Sequence, residues 1–230
     1  AERMNSSVPY LLAILGKGVV SPSTMVCHAD DLGLVRGDGV FDTTRIVTAQ
    51  DGTSRIDHLD EHLSRLARPI AFGLEAALAG WPQFKCERIA AVDIMPFVRK
   101  DHPILSETAI EEREGIDVLC LSRGVTSDAF ADAPWLLGGV KTLSYAVNVA
   151  ALRYARSQGA DDAIFTSTDG YLLEGPTSGL VIAADDGLWT TPTGPTGILN
   201  SITVSTVFET AGEDGVQTST RLMQHGEVLR

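Results

Sequence analysis

The chain has 230 residues, 44% of them apolar, and a formal net charge of −12, which suits a globular protein of one large or two small domains. That acidity argues against nucleic acid or an anionic membrane as the main partner, since both need a basic footprint, and the apolar run over 8–15 is too short to span a bilayer. Cys27, Cys86 and Cys120 are widely spaced; they match no zinc pattern and no secreted disulfide framework, which points to reduced thiols in a cytoplasm and to no bound metal.

In chain order, the first clear element is a strand from Val40 to Val47, mixing Val40, Phe41, Ile46 and Val47 with Thr43 and Thr44. On such a strand Phe41, Thr43 and Arg45 share a face. Asp51-Gly52 is a tight-turn pair, so the strand returns through Ser54, Arg55 and Ile56 as a hairpin. A helix begins near Asp60, where Leu59, Leu63, Leu66 and Ile70 recur at helical spacing; Pro69 should kink or shorten it. Residues 74–79 look helical, 89–98 are apolar enough for a strand, and the Glu-rich 106–114 is a solvated loop or short helix. These readings divide the chain into a small N-terminal domain over 1–100, a linker over 101–115, and a larger domain over 116–230.

The second half begins with a strand over 116–122. Ser144 is placed to cap a helix running to Gln158, with Val147, Ala151 and Tyr154 on one face and Gly159 as its stop. Strands follow at 163–166, 171–174, 180–184 and 188–191, joined at Asp169-Gly170 and Asp186-Gly187. Such turns predict antiparallel sheet rather than a Rossmann array. Val204, Val207, Phe208 and Ala211 mark a last helix, with Gly212 as its end.

Four features could carry chemistry. Lysines are scarce, only Lys17, Lys85, Lys100 and Lys141, and Lys141 follows an apolar run. It is either a surface lysine with its stem on the core or an amine whose charge burial suppresses, making it a nucleophile or base. Glu174 ends an apolar strand before Gly175-Pro176; it is either a rim charge or the partner of a buried cation. The segment 197–203 leads directly into a helix, whose first amides either bind an anion or are capped by their own Ser or Thr. Arg65 sits beside the apolar stripe of its helix and is either solvated or a fork of donors turned inward.

The order of these features carries a resemblance. The strings Gly37-Asp38-Gly39-Val40-Phe41, Asp60-Glu61-His62-Leu63-Ser64-Arg65-Leu66, Lys141-Thr142-Leu143-Ser144-Tyr145, Gly159-Ala160-Asp161-Asp162-Ala163 and Glu174-Gly175-Pro176-Thr177-Ser178 resemble, in succession, the fold-type IV pyridoxal-phosphate enzymes. This class IV aminotransferase family holds the branched-chain and D-amino acid aminotransferases and aminodeoxychorismate lyase. The likeness runs from about 28 to 210. It implies a two-domain α+β fold, with a small α/β N-terminal domain and a larger β-rich cofactor-binding domain flanked by helices.

The resemblance also implies roles. Lys141 carries pyridoxal 5′-phosphate covalently and later shuttles the proton. Glu174 pairs with the pyridine nitrogen, Arg65 and the amides of Ile202 and Thr203 bind the phosphate, Leu199 packs on the ring, and Thr177 and Ser178 line the cofactor. Asp38 and Gly39 shape a turn. The chain departs from the family where Gly-Ile-Thr-Arg is usual, reading Ser201-Ile202-Thr203-Val204, and at Pro69 in place of a small residue. It is shorter than typical members, and the C-terminal Thr/Ser strand of the family is expected to be missing.

No Tyr-Leu-Gly string of the branched-chain enzymes is evident. The Phe41-Asp42-Thr43-Thr44-Arg45 and Lys141-Thr142-Leu143-Ser144-Tyr145 strings look more like the lyase, which releases pyruvate and leaves 4-aminobenzoate for folate synthesis. Arg45 then either meets a substrate carboxylate, beside Phe41 and Thr43, or points outward. An aminotransferase of branched-chain or D-amino acids is the alternative, and a non-catalytic pyridoxal-phosphate-binding relic the third reading. The resemblance further implies a homodimer acting on a small amino substrate.

Overall fold

The computed structural model describes residues 10–14, 17–21, 23–44, 46–67, 97–99 and 115–228. Arg45, Pro69, the expected helix over 74–79, most of the expected strand over 89–98 and the Glu-rich 106–114 lie outside the described residues. The chain divides into two compact units, residues 1–35 with 72–115 and residues 36–71 with 116–230.

In the first unit, β1 (Tyr10–Ile14) is the centre of an antiparallel sheet, with β2 (Gly18–Val20) on one side and β5 (Phe97–Arg99) on the other. The short α1 (Leu32–Arg36) opens on Asp31, whose Oδ1 accepts from the amides of Gly33 and Leu34, an acidic cap on otherwise unpaired donors.

In the second unit, β3 (Ile46–Thr48) and β4 (Ser54–Ile56) form the hairpin expected around Asp51-Gly52, with Gly52 at φ +84°. The strand is shorter than its composition predicts. Residues 41–44 form no ladder, because Val40 instead bridges to Thr142 and the amide of Phe41 donates to the carbonyl of Lys141. α2, the helical stretch over 59–67, follows as expected.

Next, β6 (Val118–Ser122), α3 (Ala146–Ser157) and β7 (Asp162–Thr166) form a crossover in which the two strands run parallel. A parallel pair needs a long connection, and α3 is part of it. The all-antiparallel expectation is therefore corrected. Asp-Gly turns do build local antiparallel returns: Tyr171–Glu174 comes back along β7 after Gly170 at φ +91°, and β8 (Ile182–Ala184) pairs antiparallel with β9 (Gly187–Thr190). β10 (Thr218–Thr220), reached through α4 (Ile202–Glu213), pairs parallel with β9. The last described element is the one-turn α5 (His225–Val228).

The core lies where α3 covers β7. Ala151, Phe165, Leu173 and Ile198 form one buried cluster, with Leu121 of β6 against it. The buried face of α3 is Ala151 and Ala155; Val147 and Tyr154, expected beside Ala151, are exposed at 68% and 53%. Two small side chains let the helix approach the strand closely. Ser144 does not cap α3. Tyr145 is the cap residue, and Ser144 Oγ donates to the carbonyl of Gly37 at 3.2 Å. Gly37, at φ +67°, has no room for a side chain against Ser144, so segment 37–41 is laid directly along segment 141–144. The expected stop at Gly159 holds, with φ +87°, while the last long helix runs one residue beyond Gly212.

Candidate active site

A cavity of about 590 Å³ opens in the second unit, and Lys141, Glu174, Arg65, Thr43, Leu199 and Thr203 are among its lining residues. Thr177, Ser178 and Ile202 also reach it. Phe41 stands behind this wall, with Lys141 Nζ 4.7 Å from the centre of its ring. Of the expected site residues, Arg45 alone is outside the described set.

Lys141 is positioned by the 37–41 segment that pairs with it. Its Nζ lies 3.5 Å from Tyr145 Oη and over the faces of Phe41 and Tyr145, whose rings meet edge to face at 5.3 Å. Desolvation lowers the Lys141 pKa, and the nearby Arg65 charge lowers it further, against the opposing pull of Asp42 and Glu174. The ammonium is thus moved towards the neutral amine. The same burial, together with the Glu174 charge, pushes the Tyr145 phenol up.

Glu174 ends the return strand along β7. Its Oε2 accepts from the amide of Leu199 at 3.0 Å, and Arg123 Nη1 stands 3.8 Å from its Oε1, an ion-pair distance too long for a hydrogen bond. Burial raises its pKa, with the Leu199 amide, Arg123 and Lys141 acting the other way.

Arg65 belongs to a separate ionic knot. It donates from Nε to Asp42 Oδ2 at 2.8 Å and from Nη2 to Asp42 Oδ1 at 2.5 Å, and its Nη1 donates to the carbonyl of Asn200 at 3.2 Å. His62, one turn earlier on α2, places Nδ1 2.8 Å from Asp42 Oδ1. Burial would raise Asp42, yet the hydrogen bonds from Arg65, His62 and the Thr43 amide prevail, and its carboxyl is held below the usual range.

α4 begins beside this knot. Ser201 Oγ accepts from the amide of Val204 at 3.3 Å, so this serine caps its own helix. The Ile202 and Thr203 amides precede Ser205, whose amide is the first to donate within the helix, to the Ser201 carbonyl, and they stay available at the positive end of the helix dipole. Across from them, Gly179 has no space for a side chain beside Val204 and Ser201. The loop carrying Thr177 and Ser178 is pinned to α3 by Asn148 Nδ2, which donates to the carbonyl of Pro176 at 2.6 Å.

Sequence reasoning did not single out Asp42, His62, Arg123 or Asn148. For His62 a signal existed: it lies three residues before Arg65 in a helix, which puts both on one face. Asp42 and Arg123 are brought in by long-range pairing and have no local signature.

Residues 90–229 match the model of the family described as amino-transferase class IV, and the chain belongs to that family. It is 32% identical, over 95% of its length and 84% of the other's, to a bifunctional aminodeoxychorismate lyase / D-amino acid transaminase of Mycobacterium tuberculosis. Among solved structures it is similar to the fold IV transaminase CpuTA1 of Curtobacterium pusillum, with 32% identity, a TM-score of 0.77 and coverage of 96% and 85% of the two chains. It is also similar to the pyridoxal-phosphate-bound form of a hypothetical aminotransferase from M. tuberculosis, with 32% identity, a TM-score of 0.72 and coverage of 94% and 82%. The α+β fold is that of the fold-type IV enzymes.

Proposed function

We propose that this chain binds pyridoxal 5′-phosphate in the cavity and uses it to cleave 4-amino-4-deoxychorismate to 4-aminobenzoate and pyruvate. The observation that carries the cofactor reading is the convergence on one cavity of a lysine displaced towards its neutral form, a buried carboxylate and an anion-binding corner. The donor set fits the cofactor. Arg65, after serving Asp42 and Asn200, retains an Nη1 hydrogen, and the free Ile202 and Thr203 amides add two more donors suited to a phosphate. Glu174 is the acid group suited to a pyridine nitrogen, Leu199 offers an apolar surface, and Lys141 offers the amine for an aldehyde.

When bound, the cofactor supplies an electron sink for bonds broken next to the substrate amine. The chain's own residues do the rest. Lys141 Nζ, held over the rings of Phe41 and Tyr145 and moved by burial towards the neutral amine, is the group placed to take and return a proton. Glu174, oriented by the Leu199 amide, presents its carboxyl group to the cavity. Thr177 and Ser178 complete the cofactor's surroundings, and of the residues expected to serve the substrate Thr43 lines the cavity while Phe41 backs Lys141. The lyase reaction needs no second substrate, since 4-amino-4-deoxychorismate divides into its two products without a co-reactant.

D-amino acid transamination is the second reading, favoured by the double name of the M. tuberculosis relative. The two are separated by supplying the loaded protein with 4-amino-4-deoxychorismate and, in parallel, with D-alanine or leucine plus 2-oxoglutarate. Release of 4-aminobenzoate without keto-acid exchange supports the lyase; exchange alone supports the transaminase. Protein that binds the cofactor and turns over neither substrate is a relic.

We also read the chain as a cytoplasmic homodimer. Leu136, Leu137 and Val147 line the cavity yet are exposed, and the adjacent Trp135 is 73% exposed, an apolar rim that a second copy would cover. Light scattering that returns the monomer mass would remove this reading. Cys27 and Cys120 are free thiols, which suits a reducing compartment. Among the described residues no helix is long and apolar enough to cross a membrane.

A further inference from the structure

Arg123 follows β6 directly, and its backbone is fixed by a hydrogen bond from its amide to the carbonyl of Thr166 at 2.8 Å. Its Nη1 is buried and has no hydrogen-bond partner among the described residues. A guanidinium is always charged and presents its donors in a rigid fork, so an unpaired buried donor is costly unless something near it repays the desolvation. The group it faces is Glu174 Oε1, at 3.8 Å.

The guanidinium is supported from the other side. Its Cζ lies 5.4 Å from the centre of the Phe130 ring, a cation–π geometry. Phe130 in turn sits against two glycines. A Cβ on Gly138 would come within 2.6 Å of the ring, and one on Gly197, at φ +68°, would collide with it. The Phe130 amide donates to the carbonyl of Pro195 at 3.0 Å. Backbone, ring, guanidinium and carboxylate are therefore linked in succession, and both Glu174 oxygens are addressed, Oε2 by the Leu199 amide and Oε1 by Arg123.

We propose that Arg123 is a positioning residue that acts through Glu174: seated on Phe130, it keeps the Glu174 carboxylate ionised and oriented towards the cavity. The consequence rests on the reading that Glu174 serves the cofactor's ring nitrogen. A neutral carboxylic acid there could not balance a pyridinium, and burial by itself favours the neutral acid. The charged or titratable groups coupled to Glu174 are Arg123, Lys141 and Tyr145. Of these, Lys141 is itself moved towards neutrality by burial and Tyr145 contributes no positive charge. Among the described residues Arg123 is left as the permanent cation beside this carboxylate.

The test is the titration of Glu174 in the full chain without cofactor, followed by NMR on protein carrying 13C-labelled glutamate, with the Glu174 signal identified by its loss in Glu174→Gln. In Arg123→Gln the midpoint should rise by about one to three pH units, the range by which an adjacent arginine moves a carboxyl. Arg123→Lys should restore part of the shift, which a loss of packing alone would not produce. Circular dichroism confirms that each variant is folded, and if Arg123→Gln does not fold the comparison of Arg123→Lys with wild type carries the test, with a smaller rise expected. A midpoint that stays put in a folded variant overturns the proposal. Loading wild type and each variant with pyridoxal phosphate and reading the absorbance tests the cofactor separately: a midpoint that rises in Arg123→Gln while the wild-type chain never takes up the cofactor would remove the functional reading and leave the Arg123–Glu174 coupling standing.

Discussion

Glu174 lines the cavity and Asp42 stands behind its wall, bound to the lining residues Arg65 and His62; burial raises both carboxyls, yet their net shifts run in opposite directions. Asp42 is grasped by both edges of a planar donor set, Arg65 and His62, and stays more acidic than an ordinary aspartate. Glu174 has one backbone amide and one distant guanidinium, and burial prevails. The hydrogen bonds around Asp42 outweigh its desolvation, and those around Glu174 do not. One carboxylate is committed to holding an arginine in place, and the other is left with capacity for a ligand.

The sharpest break of this contrast is at the lysine coupled to both. Lys141→Ala should remove covalent cofactor attachment and lower turnover by more than about 10³-fold, since it deletes the proposed proton carrier as well as the tether; absorbance and steady-state rates measure both. Next comes the scaffold under Glu174. Leu173, its neighbour, is 1% exposed in the core, and Leu173→Ala should cost about 2–5 kcal/mol in denaturant unfolding.

Asp42→Asn leaves the shape and removes the charge that aligns Arg65. Cofactor affinity should fall about tenfold, or about 1.4 kcal/mol, and a double-mutant cycle with Arg65→Lys should show the two acting as one unit. A Kd unchanged in Asp42→Asn would mean that Asn200 alone orients the arginine.

The two carboxylates also predict opposite pH slopes for the cofactor-free protein. Asp42, depressed in the folded state, contributes stability that is present above its unfolded pKa and lost as pH falls through its folded one. Glu174, raised in the folded state, contributes stability that is present below its unfolded pKa and lost as pH rises through its folded one. Asp42→Asn should therefore flatten the acid limb of the stability curve, and Glu174→Gln should remove a decline above it. The smallest effect expected is at Ser201, where Ser201→Ala loses the cap on α4 and about 1 kcal/mol.

The features legible in the sequence were those that local chemistry imposes. The Asp51-Gly52 and Asp169-Gly170 turns, the helix stop at Gly159 and the helix over 202–213 need only a few adjacent residues to be specified. The order of Arg65, Lys141, Glu174 and Ile202-Thr203 was legible as family resemblance, and these residues do line one cavity. What stayed hidden depends on distant partners. Nothing in 118–122 or 162–166 announces a parallel pairing, because strand composition does not encode direction. Ser144 and Ser201 are equally good helix caps by composition. Only Ser201 caps, because Ser144 is drawn to the carbonyl of Gly37, a residue far away in the chain. Asp42 appeared as one letter of a strand and is instead the anchor of Arg65.

The central claim is that the Lys141 amine is the group that joins the cofactor. Reduction of the pyridoxal-phosphate-loaded protein with borohydride, followed by peptide mass mapping, tests it directly, since the chain offers only Lys17, Lys85, Lys100 and Lys141. A stoichiometric phosphopyridoxyl mass is expected on the Lys141 peptide and none in Lys141→Ala. A label spread over the other lysines, or protein that stays colourless and unlabelled, would contradict it.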